Sequence, residues 1–166
     1  VAQFGTQGAR MQPDSTFVLD SNDPESFGRV AKIFVDPVAN EVYVADGYLN
    51  KRVAVLNPET GEMLRHWGAY GNVPDNSYVF GPRGANEPPA QQFRGPVHCA
   101  DVSTDRLVYV CDRQSNRLQV FTTEGEFVEE AFYQPETLGE GSVWDIAFSH
   151  DPEQRYIYMP DGRNMK

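Results

Sequence analysis

The sequence predicts an all-β fold built from β-propeller blades, and three observations predict it. One pattern recurs about three times. Each recurrence divides into short strands of alternating or continuous apolar character. The chain is also rich in the residues that punctuate such strands, with 14 Gly and 12 Pro among 166 residues. That length corresponds to about one domain, at a prior of ~150 residues per domain. Hydrophobic residues make up 40% of the chain and aromatic residues 12%, enough for a packed core and against intrinsic disorder.

The first strand of each unit follows a glycine. Gly28-Arg-Val-Ala-Lys-Ile-Phe-Val35 matches Gly95-Pro-Val-His-Cys-Ala-Asp-Val102 and Gly141-Ser-Val-Trp-Asp-Ile-Ala-Phe148. A turn follows each: Asp36-Pro37-Val38-Ala39-Asn40, Ser103-Thr104-Asp105, and His150-Asp151-Pro152-Glu153. Second strands then run over 41–46, 107–112 and 156–161, each closed by an aspartate (Asp46, Asp112, Asp161). Two copies continue into third strands at 50–56 and 116–121. These turn at Thr60-Gly61 and Glu124-Gly125 into fourth strands at 63–67 and 127–132. Four strands per unit, with the space between units filled by β-branched and aromatic residues, is the pattern of a propeller blade. The repeated aspartates are expected to bind turn amides, and the Asn50/Asn116 and Arg52/Arg117 pairs are expected to be architectural.

The organisation expected is one partial propeller over 1–166. Residues 1–8 form the outer strand of a preceding blade, 28–71 and 95–132 are full blades, and 141–166 is the inner half of another. About three blades do not close a ring. The chain therefore reads as a piece of a six-bladed propeller or as one of several copies that close a ring together. The strands around Ile33, Val44, Val55, Val108 and Val120 are expected to be buried. Residues 10–27 and 72–92 break the repeat as long loops, which either line a binding face or decorate the surface.

With 14 Lys+Arg against 24 Asp+Glu, the formal charge is −10, which argues against a nucleic-acid partner. No apolar run approaches the ~18–20 residues of a membrane span. No initiator Met or signal peptide opens the chain, as expected of a processed or partial protein. The two cysteines, Cys99 and Cys111, match no metal spacing. If the turn centres near Asp105 they face each other across a hairpin. They read either as a cross-strand disulfide, which fits an oxidising extracytoplasmic compartment, or as two small buried thiols.

The segments Tyr43-Val-Ala-Asp-Gly-Tyr-Leu-Asn-Lys-Arg52 and Tyr109-Val-Cys-Asp-Arg-Gln-Ser-Asn-Arg-Leu-Gln-Val-Phe121 resemble NHL repeats. With Trp67-Gly68 and Phe93…Pro96-Val-His98, the chain resembles the peptidyl-α-hydroxyglycine α-amidating lyases and their bacterial relatives. That resemblance implies a six-bladed propeller whose channel zinc is held by three histidines. It also implies cleavage of a peptidyl-α-hydroxyglycine into a peptide amide and glyoxylate. By motif it makes Tyr48 the base on the substrate hydroxyl, Arg113 an active-site arginine and His98 a zinc ligand. The chemistry is coherent: a phenolate takes a proton, a guanidinium forks a carboxylate, and a zinc polarises the hydroxyl oxygen. The chain departs from the family at Leu49, where the family has a cysteine, and at Tyr109 and Val120, where its second disulfide would lie.

Each candidate has a plainer reading. Tyr48 is not repeated, since Gln114 and Arg163 hold the comparable places; it is a site residue or a surface tyrosine at a blade tip. Arg113 stands where its neighbours have Gly47 and Gly162, as a site residue or in a salt bridge. His98 matches Ala31 and Trp144, as a metal or substrate contact or as a packed histidine. His66 falls in an outer strand and His150 in a turn. One histidine does not make a catalytic zinc site, which needs three protein ligands. On the sequence alone, a propeller segment that binds a protein, peptide or small ligand is therefore favoured over the zinc lyase. Zinc enters only if further blades supply ligands.

Overall fold

The computed structural model describes residues 3–5 and 11–162. The described chain is all-β, with ten strands in antiparallel sheets and no α-helix. The first sheet has the order β1 (Lys32–Asp36), β2 (Glu41–Asp46), β3 (Arg52–Leu56), β4 (Met63–Trp67). The second repeats it with β5 (Val97–Val102), β6 (Leu107–Asp112), β7 (Arg117–Thr122) and β8 (Phe127–Phe132). A two-stranded ribbon of β9 (Ala147–Phe148) and β10 (Ile157–Tyr158) follows. The strands at 141–148 and 156–161 are thus shorter than expected, because this ribbon has no third strand among the described residues to extend its ladder. The outer strand expected at 1–8 lies largely outside the described residues. Phe4, which is described, packs with Phe27 against Val44, Ala54 and Leu56.

Alternation along the strands builds two further cores besides the one that Phe4 and Phe27 cover. Tyr43, Ala45, Val53, Val55 and Trp67 of the first sheet meet Val97, Ala100, Val102, Val108, Val110 and Phe121 of the second. The opposite face of the second sheet packs Cys99, Cys111 and Leu118 against Val143 and Ile146. Ile33 is a correction: β1 is an edge strand, and Ile33 and Val35 point away from the second sheet, 59% and 61% exposed.

The repeated polar residues form two buried clamps. Asp46 accepts bonds from the Gly28 amide (2.7 Å), Asn50 Nδ2 (2.6 Å) and Arg52 Nε (2.9 Å). Arg52 donates onward to the carbonyls of Ser21, Asp23 and Ser26 in the loop that enters the sheet. In the second sheet Asp112 accepts from the Arg94 and Gly95 amides and from Arg117 Nε, and Arg117 reaches the Gln92 carbonyl and the Tyr70 hydroxyl. Both ion pairs are fully buried. The aspartates therefore hold the glycine that precedes the first strand of each four-stranded sheet, together with the arginine, rather than the amides of their own turns. Asn116 serves differently from Asn50: its amide donates to the Pro135 and Thr137 carbonyls, and its oxygen accepts from Ser142.

Cys99 and Cys111 are bonded to each other and sit directly opposite in the β5–β6 register, with Cα atoms 4.9 Å apart. The cross-strand reading is the one observed. No helix is long and apolar enough to cross a membrane among the described residues.

Breaking a clamp should cost far more than breaking a surface pair. Arg117→Met leaves Asp112 buried without its counter-charge, and about 3–5 kcal/mol of stability should be lost in urea unfolding. Arg155→Met removes an exposed pair with Asp151 and should leave the midpoint nearly unchanged.

Candidate active site

Three segments meet at one end of the sheets. Tyr48 follows β2 and Gly47, and an added side chain at Gly47 would run into the Val97 backbone at 2.0 Å. That close approach lays the Tyr48 turn against the start of β5, where His98 stands. Arg113 opens a short 3-10 turn, Arg113–Ser115, straight after β6. Trp144 and Glu140 come from the segment entering β9. The position that is glycine at 47 tolerates arginine at 113 because the relief lies on the other side. Gly141 has φ +82°, and a Cβ there would fall 1.9 Å from the Arg113 carbonyl oxygen.

The geometry joins all three sequence-derived candidates. The Tyr48 oxygen lies 3.2 Å from His98 Nε2, and the two rings meet edge-on at 5.9 Å. His98 Nδ1 lies 2.5 Å from the Trp144 carbonyl oxygen. A carbonyl only accepts, so Nδ1 carries the proton and Nε2 presents its lone pair to the Tyr48 hydroxyl. The Arg113 guanidinium carbon sits 4.4 Å from the Trp144 ring centroid and 6.0 Å from that of Tyr48. Arg113 is nearly fully buried and pairs with Glu140, while Tyr48 is 50% exposed. The result is a phenol at the solvent edge, a neutral imidazole behind it, and a guanidinium beside both. Burial lowers the His98 pKa below its ordinary value, and the Arg113 charge adds to this against the opposing pull of the Trp144 carbonyl. The imidazole is thus a proton acceptor at neutral pH.

The other histidines lie elsewhere. His66, in β4, contacts Asn22 Oδ1 at 3.1 Å, and His150 is exposed in its turn. Cys99, Asp101 and Asp145 form the one group with metal-ligand spacing among the described residues. It does not read as a metal site, because Cys99 is in the disulfide and Lys32 Nζ sits 2.7 Å from Asp101 and 2.5 Å from Asp145. His98 has Nδ1 bound to a carbonyl, as a metal-binding histidine does, but its Nε2 lone pair faces the Tyr48 hydroxyl. A catalytic zinc takes three protein ligands, and the described residues supply one; by themselves they do not hold it.

Sequence reasoning placed Trp144 only as the counterpart of His98 and passed over Glu140. The available signal for Glu140 was its place before Gly141, where the other repeats have Phe27 and Arg94.

No family model matches the chain. Among curated proteins it is similar to peptidyl-glycine alpha-amidating monooxygenase B of Xenopus laevis, with 30% identity over 128 residues, covering 76% of this chain and 12% of that protein. It is similar to the same enzyme of Mus musculus, with 30% identity over 124 residues, 74% of this chain and 11% of that protein. The chain thus spans about a tenth of the length of these relatives.

The half-buried imidazoles set a pH dependence. The native pKa of His98 lies below the unfolded value, and so does that of His66, where burial comes first and the Arg52 charge second. Below about pH 6.5 the unfolded chain then binds more protons than the native one, so stability must fall as pH drops through that range. Melting temperatures taken from pH 8 to pH 5 should decline on the acid side, and His98→Gln should flatten the decline. A steeper decline in His98→Gln would contradict this.

Proposed function

We propose that the chain is part of an NHL-type, six-bladed β-propeller working outside the cytoplasm. In this reading Tyr48, His98 and Arg113 belong to a site that cleaves an N-acyl-α-hydroxyglycine, the peptidyl form above all, into an amide and glyoxylate. The carrying observation is the Tyr48–His98 contact with Arg113 beside it. The similarity to amidating enzymes supports the same substrate chemistry. The repeated four-stranded sheets support the propeller, and the disulfide supports an oxidising compartment. Exposed Ile33 and Val35 on β1, and exposed Tyr156 and Tyr158 around β10, suit packing against further blades, from this gene or from another copy.

The residues divide the work. Arg113 binds the substrate carboxylate and orients the carbinol carbon toward Tyr48. Tyr48 takes the hydroxyl proton as its own proton passes to His98 Nε2. The hydroxyl oxygen becomes the aldehyde oxygen of glyoxylate, the C–N bond breaks, and its electron pair stays on nitrogen. The proton held by His98 returns to that nitrogen, giving the amide. A zinc bound with ligands from other blades would supply Lewis acidity at the hydroxyl oxygen; with Nδ1 on the Trp144 carbonyl, His98 Nε2 would either hold that zinc or take the Tyr48 proton, not both.

A second reading, a binding module for a carboxylate-bearing peptide or small molecule, is favoured by the single imidazole at the site. Glyoxylate release separates the two. The native assembly, supplied with N-acetyl-α-hydroxyglycine, should release glyoxylate. Tyr48→Phe should lower kcat by about 10²–10⁴-fold, and Arg113→Met should act mainly on KM. Binding without release would select the module.

A further inference from the structure

The Arg113 guanidinium already holds a carboxylate, and it belongs to the chain itself. Nη2 donates to Glu140 Oε2, while Nε on the same edge is buried with no hydrogen-bond partner. The pairing is therefore one-pronged, although that edge of an arginine fits both oxygens of one carboxylate. The partners differ in their surroundings: the Arg113 side chain is 6% exposed and that of Glu140 is 42% exposed. The repeat does not require an acid here, since Phe27 and Arg94 precede the matching glycines. Contact at Gly141 brings the preceding residue against Arg113, so a local backbone constraint delivers this acid to this arginine.

We propose that Glu140 is an internal stand-in for the ligand's carboxylate, one that occupies Arg113 in the free protein and is displaced when a carboxylate-bearing ligand binds. The proposal rests on reading Arg113 as the carboxylate-binding residue. An incoming carboxylate can engage Nη2 and Nε together and so makes a bond that Glu140 leaves unmade. Glu140, already half in water, loses little on release. A ligand without a carboxylate gains nothing at Arg113 that would offset displacing Glu140, so the residue also sets selectivity. If Glu140 holds Arg113 about nine-tenths of the time, it weakens the apparent carboxylate affinity about tenfold.

The test uses acetate as the probe, acetamide as the control and the NMR resonance of Arg113 Nε–H as the readout, in the native assembly. Glu140→Gln should bind acetate about tenfold more tightly than the unaltered protein, and acetamide should shift neither. In Arg113→Met, where the Nε–H resonance is gone, the indole N–H of neighbouring Trp144 is followed instead, in the unaltered protein as well, and should show acetate binding abolished. Acetate affinity that is equal, weaker or undetectable in Glu140→Gln overturns the proposal, a weaker affinity meaning that Glu140 orients Arg113 for binding. Glyoxylate release is measured in parallel. Its absence beside the expected acetate result overturns the cleavage reading alone. Its presence beside an unchanged acetate affinity overturns the Glu140 proposal alone.

Discussion

The buried aspartate–arginine clamp is the interaction on which the rest of this structure depends. Asp46 with Arg52, and Asp112 with Arg117, place a fully desolvated pair at the end of each four-stranded sheet. Such pairs are tolerated only when every remaining donor and acceptor is satisfied. Here they are used in full: the carboxylate takes the amide of the glycine before the sheet's first strand, and the guanidinium takes the carbonyls of the loop before it. One cluster thereby ties the second and third strands of a sheet to the entry of its first.

That tie explains why the site forms at this end. Gly28 and Gly95 are pinned by the clamps, so β1 and β5 start at a defined height. Gly47 lets the turn after β2 close onto Val97 without a steric barrier. Tyr48 comes from the first sheet, His98 and Arg113 from the second, and Trp144 from the segment beyond it. The disulfide adds a covalent brace immediately behind two of them, since Cys99 follows His98 and Cys111 lies two residues before Arg113. The site is an inter-sheet construction, and none of its contacts is local in sequence.

Much of this was legible in the residues. The Gly-x-Val openings and the closing aspartates recur because each sheet needs the same anchor, and recurrence is what a sequence displays best. The disulfide was legible as one of two readings, because hairpin register follows from the position of the turn. Tyr48, Arg113 and His98 stood out through non-repetition and resemblance. Other features depended on neighbours that the repeat does not encode. Ile33 has a core-like pattern, yet its face is turned from the second sheet. Asp46 and Asp112 looked like turn-binding residues until their long-range partners came into view. Glu140 reaches Arg113 across 27 positions, through a glycine contact that no periodicity marks. The pairing of His98 with a backbone carbonyl leaves no trace in side-chain identity at all.

That carbonyl contact is also where the account is most exposed to test. If the three segments meet as described, the Trp144 carbonyl holds the proton on His98 Nδ1 and leaves the Nε2 lone pair facing Tyr48. Nitrogen NMR of the His98 ring at neutral pH resolves the two tautomers directly. The account predicts a neutral imidazole protonated at Nδ1, unchanged in tautomer when Tyr48→Phe removes the hydroxyl. A ring protonated at Nε2, or an imidazolium at pH 7, would contradict it.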